Sequence, residues 1–274
     1  MSEPVIDVRS GAATHPGLRR RSNEDAHLAE YPLYLVADGM GGHDAGAAAS
    51  AAVVAEFGLL AGAGSLGIDA MRAALLRARE TVERIAHGGR AAGTTLTGVT
   101  VTEVGGTGYW LVVNVGDSRT YRFAMGVLEQ ISVDHSVVQE LVDSGAIDGK
   151  AAATDRRRNE ITRAIGAGSA GEPDFWLVPA EPGDRILVCS DGLSGEVDAD
   201  RIRDVLAEVD DPRAAATRLV HEAMLRGGRD NITAVVVDAV RVSGFEDAYD
   251  TVPTGVGADA DIETRPRAAT GGDD

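Results

Sequence analysis

Apolar residues in the first third of the chain follow two different spacings. The run Leu33-Tyr34-Leu35-Val36-Ala37 is short and continuously apolar, which is typical of a buried strand. Residues 45–60 are rich in alanine with apolar side chains at helical spacing, and residues 68–86 place apolar side chains on one face and Arg and Glu on the other. The pattern therefore predicts a buried strand and then two helices, separated by a glycine-containing break at residues 62–65.

The pattern changes after residue 93, where β-branched side chains become frequent. They dominate residues 94–104, and a glycine-rich turn at 105–108 leads into a second apolar run at 109–115, as in a β-hairpin. Further strands are predicted at residues 118–123, 127–132, 175–178, 185–189 and 232–240, and further helices at residues 136–144, 201–208 and 212–226. Strands joined by short turns favour antiparallel pairing, and helices grouped apart from strands favour a layered α+β fold.

The character of the chain changes again near its end. Residues 243–274 carry eight acidic side chains against two arginines, and their apolar side chains are sparse and show no period. Such a segment buries too little apolar surface to offset the entropy of ordering it. We therefore predict a folded domain over residues 1–242 and a disordered acidic tail over residues 243–274.

Charge and cysteine content narrow the possible partners. The 274 residues include 26 Lys and Arg against 43 Asp and Glu, a formal net charge of −17, which argues against nucleic acids and anionic membranes as partners. The single cysteine cannot form an internal disulfide, which favours a reducing compartment. No apolar run approaches the roughly 20 residues that span a bilayer, and the N-terminus lacks the features of a signal peptide. We expect a cytoplasmic protein.

Several aspartates stand at the ends of the predicted strands, next to glycines. Asp38, Asp117 and Asp191 each follow an apolar run, Asp230 precedes the last predicted strand, and Asp25 precedes a possible one. An Asp-Gly pair is a common turn, so each of these taken singly would most often be only a turn. Neighbouring strands can nevertheless bring such ends together, and the whole set therefore indicates a cluster of carboxylates.

A cluster of carboxylates in one pocket needs a cation, because like charges raise each other's pKa. Oxygen ligands completed by water suit Mg²⁺ or Mn²⁺. The thiolate and imidazole ligands that zinc prefers are missing, since Cys189 stands alone and no pair of histidines has ligand spacing. A glycine beside an aspartate can add its backbone carbonyl as a ligand.

At this point the sequence resembles a known family, the metal-dependent serine/threonine protein phosphatases of the PPM or type 2C class in their bacterial form. The resemblance covers residues 5–241 approximately, and it rests on seven short motifs in a fixed order. They are Arg20-Arg21-Ser22-Asn23-Glu24-Asp25, Asp38-Gly39-Met40-Gly41-Gly42-His43, Gly93-Thr94-Thr95, Asn114-Val115-Gly116-Asp117-Ser118-Arg119-Thr120-Tyr121, Asp134-His135-Ser136, Ser190-Asp191-Gly192-Leu193 and Arg229-Asp230-Asn231-Ile232-Thr233.

The resemblance implies a four-layer α-β-β-α sandwich of two antiparallel sheets, with a two-metal centre at one end. Asp38 would bridge two Mn²⁺ or Mg²⁺ ions, with the Gly39 carbonyl on one ion and Asp191 and Asp230 on the other. Asp117 is similar to the residue that holds a third, weaker ion in the family. Direct attack on phosphorus by a hydroxide bridging the two ions would hydrolyse phosphoserine and phosphothreonine without a phosphoenzyme.

Other residues take roles by the same resemblance. Glu24 and Asp25 would orient metal-bound waters, and Arg20 would bind the substrate phosphate, although Arg19 and Arg21 flank it and either could be the residue concerned. Met40 stands where animal relatives carry a histidine proposed as general acid, and His43, three residues further on, is given no catalytic role. A flap is expected between Asp134 and Arg163, and it includes Asn159, near where some relatives provide a third-metal ligand.

The flap also contains the run Arg156-Arg157-Arg158, which could attract acidic or phosphorylated protein segments and is equally consistent with a solvated loop. The implied partners are phosphorylated proteins and a Ser/Thr kinase that the enzyme opposes, and the protein is expected to be a monomer. Two alternatives remain open. One is a non-enzymatic binding module with structural metals, and the other is a phosphatase of small molecules or a different two-metal hydrolase.

Overall fold

The computed structural model describes residues 4–41, 44–86, 91–169, 171–244 and 262–264. The strands are β1 (Ile6–His15), β2 (Asp25–Glu30), β3 (Leu33–Met40), β4 (Gly93–Thr94), β5 (Leu96–Val104), β6 (Thr107–Val115), β7 (Arg119–Ala124), β8 (Val127–Gln130), β9 (Ile165–Gly166), β10 (Asp174–Pro179), β11 (Arg185–Cys189), β12 (Ile232–Val242) and β13 (Ile262–Thr264). The helices are α1 (Asp44–Gly58), α2 (Ile68–Ala86), α3 (Val137–Asp143), α4 (Gly149–Thr154), α5 (Asp191–Ser194), α6 (Ala199–Glu208) and α7 (Pro212–Arg226).

Two β-sheets form the centre of the described structure, as predicted. The first has the strand order β1-β12-β11-β7-β8, and every neighbouring pair in it is antiparallel. The second contains β10, β6, β5 and β3 in that order, with β2, β4, β9 and β13 completing it. Within the described ranges its pairings are antiparallel except at one edge, where β13 lies parallel to β10.

Alternating side chains of β3 show how the second sheet is layered. Leu33 and Leu35 pack with residues of α1 and α2 in one core cluster, while Tyr34 and Val36 belong to another cluster between the two sheets. Successive side chains of a strand point to opposite faces, so a strand buried on both faces appears in the sequence as a continuous apolar run. The burial pattern explains why residues 33–37 gave no alternation.

The first sheet is covered in the same way on its outer face. Leu187 and Val236 pack with residues of α5, α6 and α7, whereas Ile186 and Val237 face the second sheet. The order of layers is therefore helices, sheet, sheet, helices, and the predicted four-layer α+β sandwich is confirmed. No helix in the described part of the chain has both the length and the apolar character needed to cross a bilayer.

The structure differs from the sequence prediction at Ile262–Thr264, inside the segment where we predicted disorder. These residues form β13, which pairs with Phe175–Leu177 of β10. The strand can form there because β10 would otherwise leave its outer backbone groups unpaired at the edge of the sheet, and Ile262 and Thr264 are β-branched. The remainder of the predicted tail after Gly244 lies outside the described residues, as does His43, and the boundary at residue 242 stays a prediction.

Candidate metal and phosphate site

The site lies where strand ends from both sheets meet. In the second sheet, Asp38 near the end of β3 is paired directly with Asp25 at the start of β2. In the first sheet, β11 ends at Cys189, two residues before Asp191, and β12 begins just after Asp230 and Asn231. An open cleft of about 600 Å³ is found at this end of the sandwich. Its lining includes Arg20, Glu24, Asp38, Gly39, Asp117, Asp191 and Asp230.

The aspartates of the cleft repel one another, which shows that they lie close together. Burial raises the pKa of Asp38 well above its usual range, and the charges of Asp25, Asp191 and Asp117 raise it further. Burial, followed by repulsion from Asp191, raises the pKa of Asp117 to about 8. The pKa of Asp191 is raised by burial and then by Asp230. The predicted cluster of carboxylates therefore exists in the structure as a group of neighbouring acidic side chains.

Asp25 has one carboxylate oxygen fully engaged and one without a partner. Its Oδ2 accepts hydrogen bonds from the hydroxyls of Ser190 at 2.8 Å and Thr233 at 2.6 Å. Its Oδ1 is buried and makes no hydrogen bond with the described residues. Burial raises the pKa of Asp25 to about 7. An orphaned buried oxygen is costly, so this atom points to a missing ligand such as an ordered water.

Glu24 links the two sheets through its backbone. Its N–H donates to Oδ1 of Asn231 at 2.8 Å, and its carbonyl accepts the N–H of Gly39 at 3.2 Å. A side chain at position 39 would collide with the backbone of Gly46 and of Glu24, so only glycine fits there. Glu24 and Gly39 are thus held at the lining of the cleft, and the roles predicted for them stay predictions.

Arg20 lies in the loop between β1 and β2 and reaches the carboxylates. Its Nη2 donates to Oδ2 of Asp230 at 2.7 Å, and this hydrogen bond is the largest cause that raises the pKa of Arg20. The other oxygen of Asp230 accepts the N–H of Asn231 at 2.8 Å. Arg19 and Arg21 line the same cleft and form no hydrogen bond or ion pair with the described residues. Of the three arginines, Arg20 therefore has the direct contact with a predicted metal ligand.

Side chains for which no role was predicted hold the site in place. The N–H of Asp38 donates to Oγ1 of Thr95 at 3.0 Å, and its carbonyl accepts from the Thr95 N–H and the Thr94 hydroxyl, each at 2.9 Å. Nδ2 of Asn231 donates to the carbonyls of Pro16 and Ser22, which fixes the loop that carries Arg20. Each of these threonine and asparagine side chains lay within a quoted motif, and their partners, far away in sequence, carried no local signal.

The region around Asp117 is braced by an ion pair. Arg119 donates from Nε and Nη2 to both oxygens of Asp134, at distances from 2.7 to 3.0 Å. Asn159, from the flap, is exposed and lines the cleft together with Asp117. The structure therefore brings this asparagine and the predicted third-metal ligand to the same cleft.

The chemistry of these groups fits hard divalent ions. The available ligands are carboxylates and the Gly39 carbonyl, whereas Cys189 is fully buried and its thiol has a pKa raised to about 12 by burial. Within the described ranges, no three His, Cys, Asp or Glu side chains close around one point. Both oxygens of Asp230 are already bonded to Arg20 and Asn231. Mg²⁺ is usually bound by a few protein oxygens together with several water molecules, and Mn²⁺ accepts the same ligands.

Comparisons with known proteins agree with this geometry. The family model described as protein phosphatase 2C matches residues 19–226. The serine/threonine protein phosphatase PstP of Mycobacterium tuberculosis is 34% identical over 278 residues, which cover 99% of this chain and 52% of PstP. The chain thus spans about half the length of that relative. The serine/threonine phosphatase stp of Listeria monocytogenes is 32% identical over 82% of this chain and 93% of its own length.

Solved structures give the same result for the fold. A crystal structure of the PstP catalytic domain in complex with two manganese ions matches with a TM-score of 0.75 and 36% identity, over 85% of this chain and 99% of that one. The PPM phosphatase MsPP of Mycobacterium smegmatis, in complex with cacodylate, matches with a TM-score of 0.74 and 40% identity, over 86% of this chain and all of the other. This chain belongs to the protein phosphatase 2C family.

Proposed function

We propose that this protein is a phosphatase that removes phosphate from phosphoserine and phosphothreonine in proteins, using Mn²⁺ or Mg²⁺. One observation carries the proposal. The guanidinium of Arg20 lies 2.7 Å from Asp230, in a cleft whose other carboxylates, Asp38, Asp117 and Asp191, repel one another. A cation that can bind phosphate beside a group of ligands for divalent ions is the combination that phosphate-ester hydrolysis requires.

The ligands are assigned as follows. Asp38 would contact both ions, with the Gly39 carbonyl on one and Asp191 and Asp230 on the other, and Asp117 would hold a third ion. When bound, such ions lower the pKa of a water and neutralise charge on the phosphate. The carboxylates would keep their ionised form beside such ions, because the positive charge offsets the burial and the mutual repulsion that raise the pKa of Asp38, Asp117 and Asp191.

Arg20 is the residue that binds and orients the phosphate. In the structure its guanidinium is bonded to Asp230, and its side chain is about half exposed, at 55%. Turning towards a phosphate would let it donate two parallel hydrogen bonds and would free Asp230 for an ion. Asp25 Oδ1, which lacks a partner, can accept a hydrogen bond from a water beside Asp38. Met40 has no proton to give, so the leaving oxygen would receive its proton from water.

The direct test is hydrolysis of a phosphothreonine peptide with and without Mn²⁺. We expect activity that a chelator removes and added Mn²⁺ restores, and its loss in Asp191→Ala. Asp200→Ala is the matched control, because this aspartate lies on α6 with its side chain 85% exposed. Full activity of Asp191→Ala would contradict the assigned centre.

The role of Arg20 is tested separately, by kinetics of Arg20→Ala. We expect a raised KM for the phosphopeptide while Mn²⁺ still binds, because the substitution removes a contact to phosphate and no metal ligand. Unchanged kinetics would indicate that Arg19 or Arg21, and not Arg20, binds the substrate phosphate. The alternative of a small-molecule phosphatase predicts a higher kcat/KM for free phosphorylated metabolites than for phosphopeptides, and a binding module predicts no turnover of either.

Family membership also supports proposals about the cellular setting. Phosphorylated proteins are the proposed substrates, and a Ser/Thr kinase that produces them is the proposed functional counterpart. The monomeric state and the cytoplasmic location remain predictions from the sequence. Size-exclusion chromatography with light scattering tests the first of these, and fractionation of cells tests the second.

A further inference from the structure

The mouth of the cleft carries arginines that the proposed chemistry does not use. Arg19 and Arg21 lie on either side of Arg20, and both are exposed and line the cleft. Arg19 contributes an electrostatic attraction to Glu196, and neither side chain forms a hydrogen bond or ion pair within the described ranges. Two cations are therefore presented to solvent next to the residue proposed to bind phosphate.

The flap also contributes to the lining of the cleft, and it carries arginines of its own. Asn159 and Ile161 line the cleft, and Arg156 and Arg158 come just before them with exposed side chains. The turn is ordered by Asp155, which accepts hydrogen bonds from the Nε of Arg157 at 3.0 Å and from its Nη2 at 2.9 Å. Arg157 is therefore neutralised, whereas its two neighbours are not paired with a carboxylate among the described residues.

The flap is anchored, so this turn has a defined place beside the cleft. The N–H of Val137 donates to the carbonyl of Glu160 at 2.9 Å, and the N–H of Thr162 donates to the carbonyl of His135 at 2.8 Å. Ser136 and Ile161 form an isolated antiparallel bridge between these two bonds. Arg156 and Arg158 are thus held close to the flap residues that line the cleft, while Arg19 and Arg21 line it from the loop between β1 and β2.

We propose that Arg19, Arg21, Arg156 and Arg158 form an arginine rim that selects phosphorylated segments carrying Asp or Glu close to the phosphorylated residue. The proposal rests on the proposed phosphatase function and specifies its substrate class. A chain with a net charge of −17 repels acidic segments in general, so a local group of cations at the cleft mouth decides which of them can approach. Each contact is exposed and weak, and the selection comes from several acting together.

The test compares three phosphothreonine peptides of equal length on the Mn²⁺-loaded full chain, with acidic, neutral or basic flanking residues. We expect kcat/KM for the acidic peptide to exceed that for the neutral one by about fivefold or more at low salt, and this ratio to fall as salt is added. Arg19→Gln/Arg21→Gln and Arg156→Gln/Arg158→Gln should each lower the ratio towards one. Arg77→Gln/Arg84→Gln, with the same charge change on α2, should leave the ratio as it is.

The outcomes separate this proposal from the proposed function. If p-nitrophenyl phosphate and all three peptides are hydrolysed but the wild-type ratio is near one, or if the ratio survives both rim variants, the arginine rim is refuted and the phosphatase remains. If nothing is hydrolysed, the phosphatase function is refuted. In that case the affinity of the same labelled peptides for the same proteins, measured by fluorescence anisotropy, tests the arginine rim independently. Equal affinity for acidic and neutral peptides would refute it.

Discussion

Buried carboxylates occur at both ends of the sandwich, and the two ends match them with cations to different extents. At the end away from the cleft, Asp184 and Asp238 lie at the start of β11 and opposite it on β12, each with an arginine. At the cleft end, the charges that act most on Asp38 are those of other carboxylates, and Asp230 raises the pKa of Asp191 more than Arg119 or Arg20 lowers it. The same residue type is therefore placed in two opposite electrostatic environments within one fold.

The neutralised end is fully bonded. Arg185 donates to both oxygens of Asp238, at 2.6 and 2.9 Å, and also to the carbonyls of Leu206 and Val209 at the end of α6. Asp184 accepts from Nε of Arg122 at 2.8 Å and from Nε1 of Trp110 at 3.2 Å. Charges matched in this way tie helices and strands together and are a part of the framework.

At the cleft end the match between carboxylates and cations is incomplete, and this difference separates function from framework. A buried charge that lacks a partner lowers stability, so it persists where a ligand supplies the partner. In the cleft, the ion pair that Arg20 forms among the described residues is with Asp230. Oδ1 of Asp25 has no hydrogen-bond partner among the described residues. The comparison predicts opposite effects of removing a carboxylate. At the cleft end kcat should fall and stability should not, whereas at the other end stability should fall and kcat should not.

The largest expected effect comes from Asp38→Asn. We expect kcat with Mn²⁺ to fall on the order of 10³-fold, because the substitution removes the negative charge of the carboxylate proposed to contact both ions. In chelator the variant should be at least as stable as the wild type, since a source of like-charge repulsion is lost. Steady-state kinetics and thermal unfolding with EDTA measure the two effects. A clear loss of stability in EDTA would show that Asp38 belongs to the framework.

The opposite response is expected from Asp238→Ala at the other end. It leaves Arg185 buried without its carboxylate and should lower the free energy of unfolding by about 3–5 kcal/mol. Urea unfolding measures this change, with the exposed Asp200→Ala as control and Asp238→Asn as a milder variant. The kcat per folded molecule should remain that of the wild type, and a selective loss of kcat would erase the distinction between the two ends.

The strands predicted from the sequence were marked by continuous apolar runs or by many β-branched residues, and β1 was missed. That strand is paired on one side only, to β12, and much of it is partly exposed. Its Gly11 lies where a side chain would collide with Arg213 of α7. Glycine is needed there because α7, some two hundred residues away along the chain, packs directly against this position. No local sequence pattern could reveal that β1 is a strand packed in this way.

The site, like the fold, could be predicted from the sequence only in part. Asp38, Asp117, Asp191 and Asp230 could be singled out because each stands at a strand end, and the structure gathers all of them in one cleft. The hydrogen bonds from Ser190 and Thr233 to Asp25 could not, because they join residues 165 and 208 positions apart. The register of two sheets creates these contacts, and a single sequence does not contain that register.

Metal binding should reverse the imbalance of the cleft end and stabilise the protein. At a free Mn²⁺ concentration of 100 times Kd, the gain in unfolding free energy should be about 2.7 kcal/mol per site. Thermal unfolding with Mn²⁺ and with EDTA gives this difference. Asp191→Asn should show a reduced gain, whereas Asp200→Asn should keep it. If Mn²⁺ fails to stabilise the wild-type protein, metal binding does not explain why the carboxylates of the cleft lack cationic partners.

The smallest expected effect is on the pH dependence of stability without metal. In the folded state the pKa of Asp25 is about 7 and that of Asp117 about 8, against 3.8 for an unperturbed aspartate. Between these values the folded state binds more protons than the unfolded state, so the free energy of unfolding falls as pH rises from about 4 to 8. Because the cleft is open to water, we expect a total fall on the order of 1–2 kcal/mol.

Urea unfolding in EDTA at several pH values measures this fall. Asp25→Asn and Asp117→Asn should each flatten the profile, because an amide binds no proton in this range, and saturating Mn²⁺ should flatten it as well. Asp200→Asn, at an exposed aspartate on α6, should leave the profile unchanged. Stability that instead rises with pH in EDTA would mean that both carboxylates are already matched by cations, as at the other end of the sandwich.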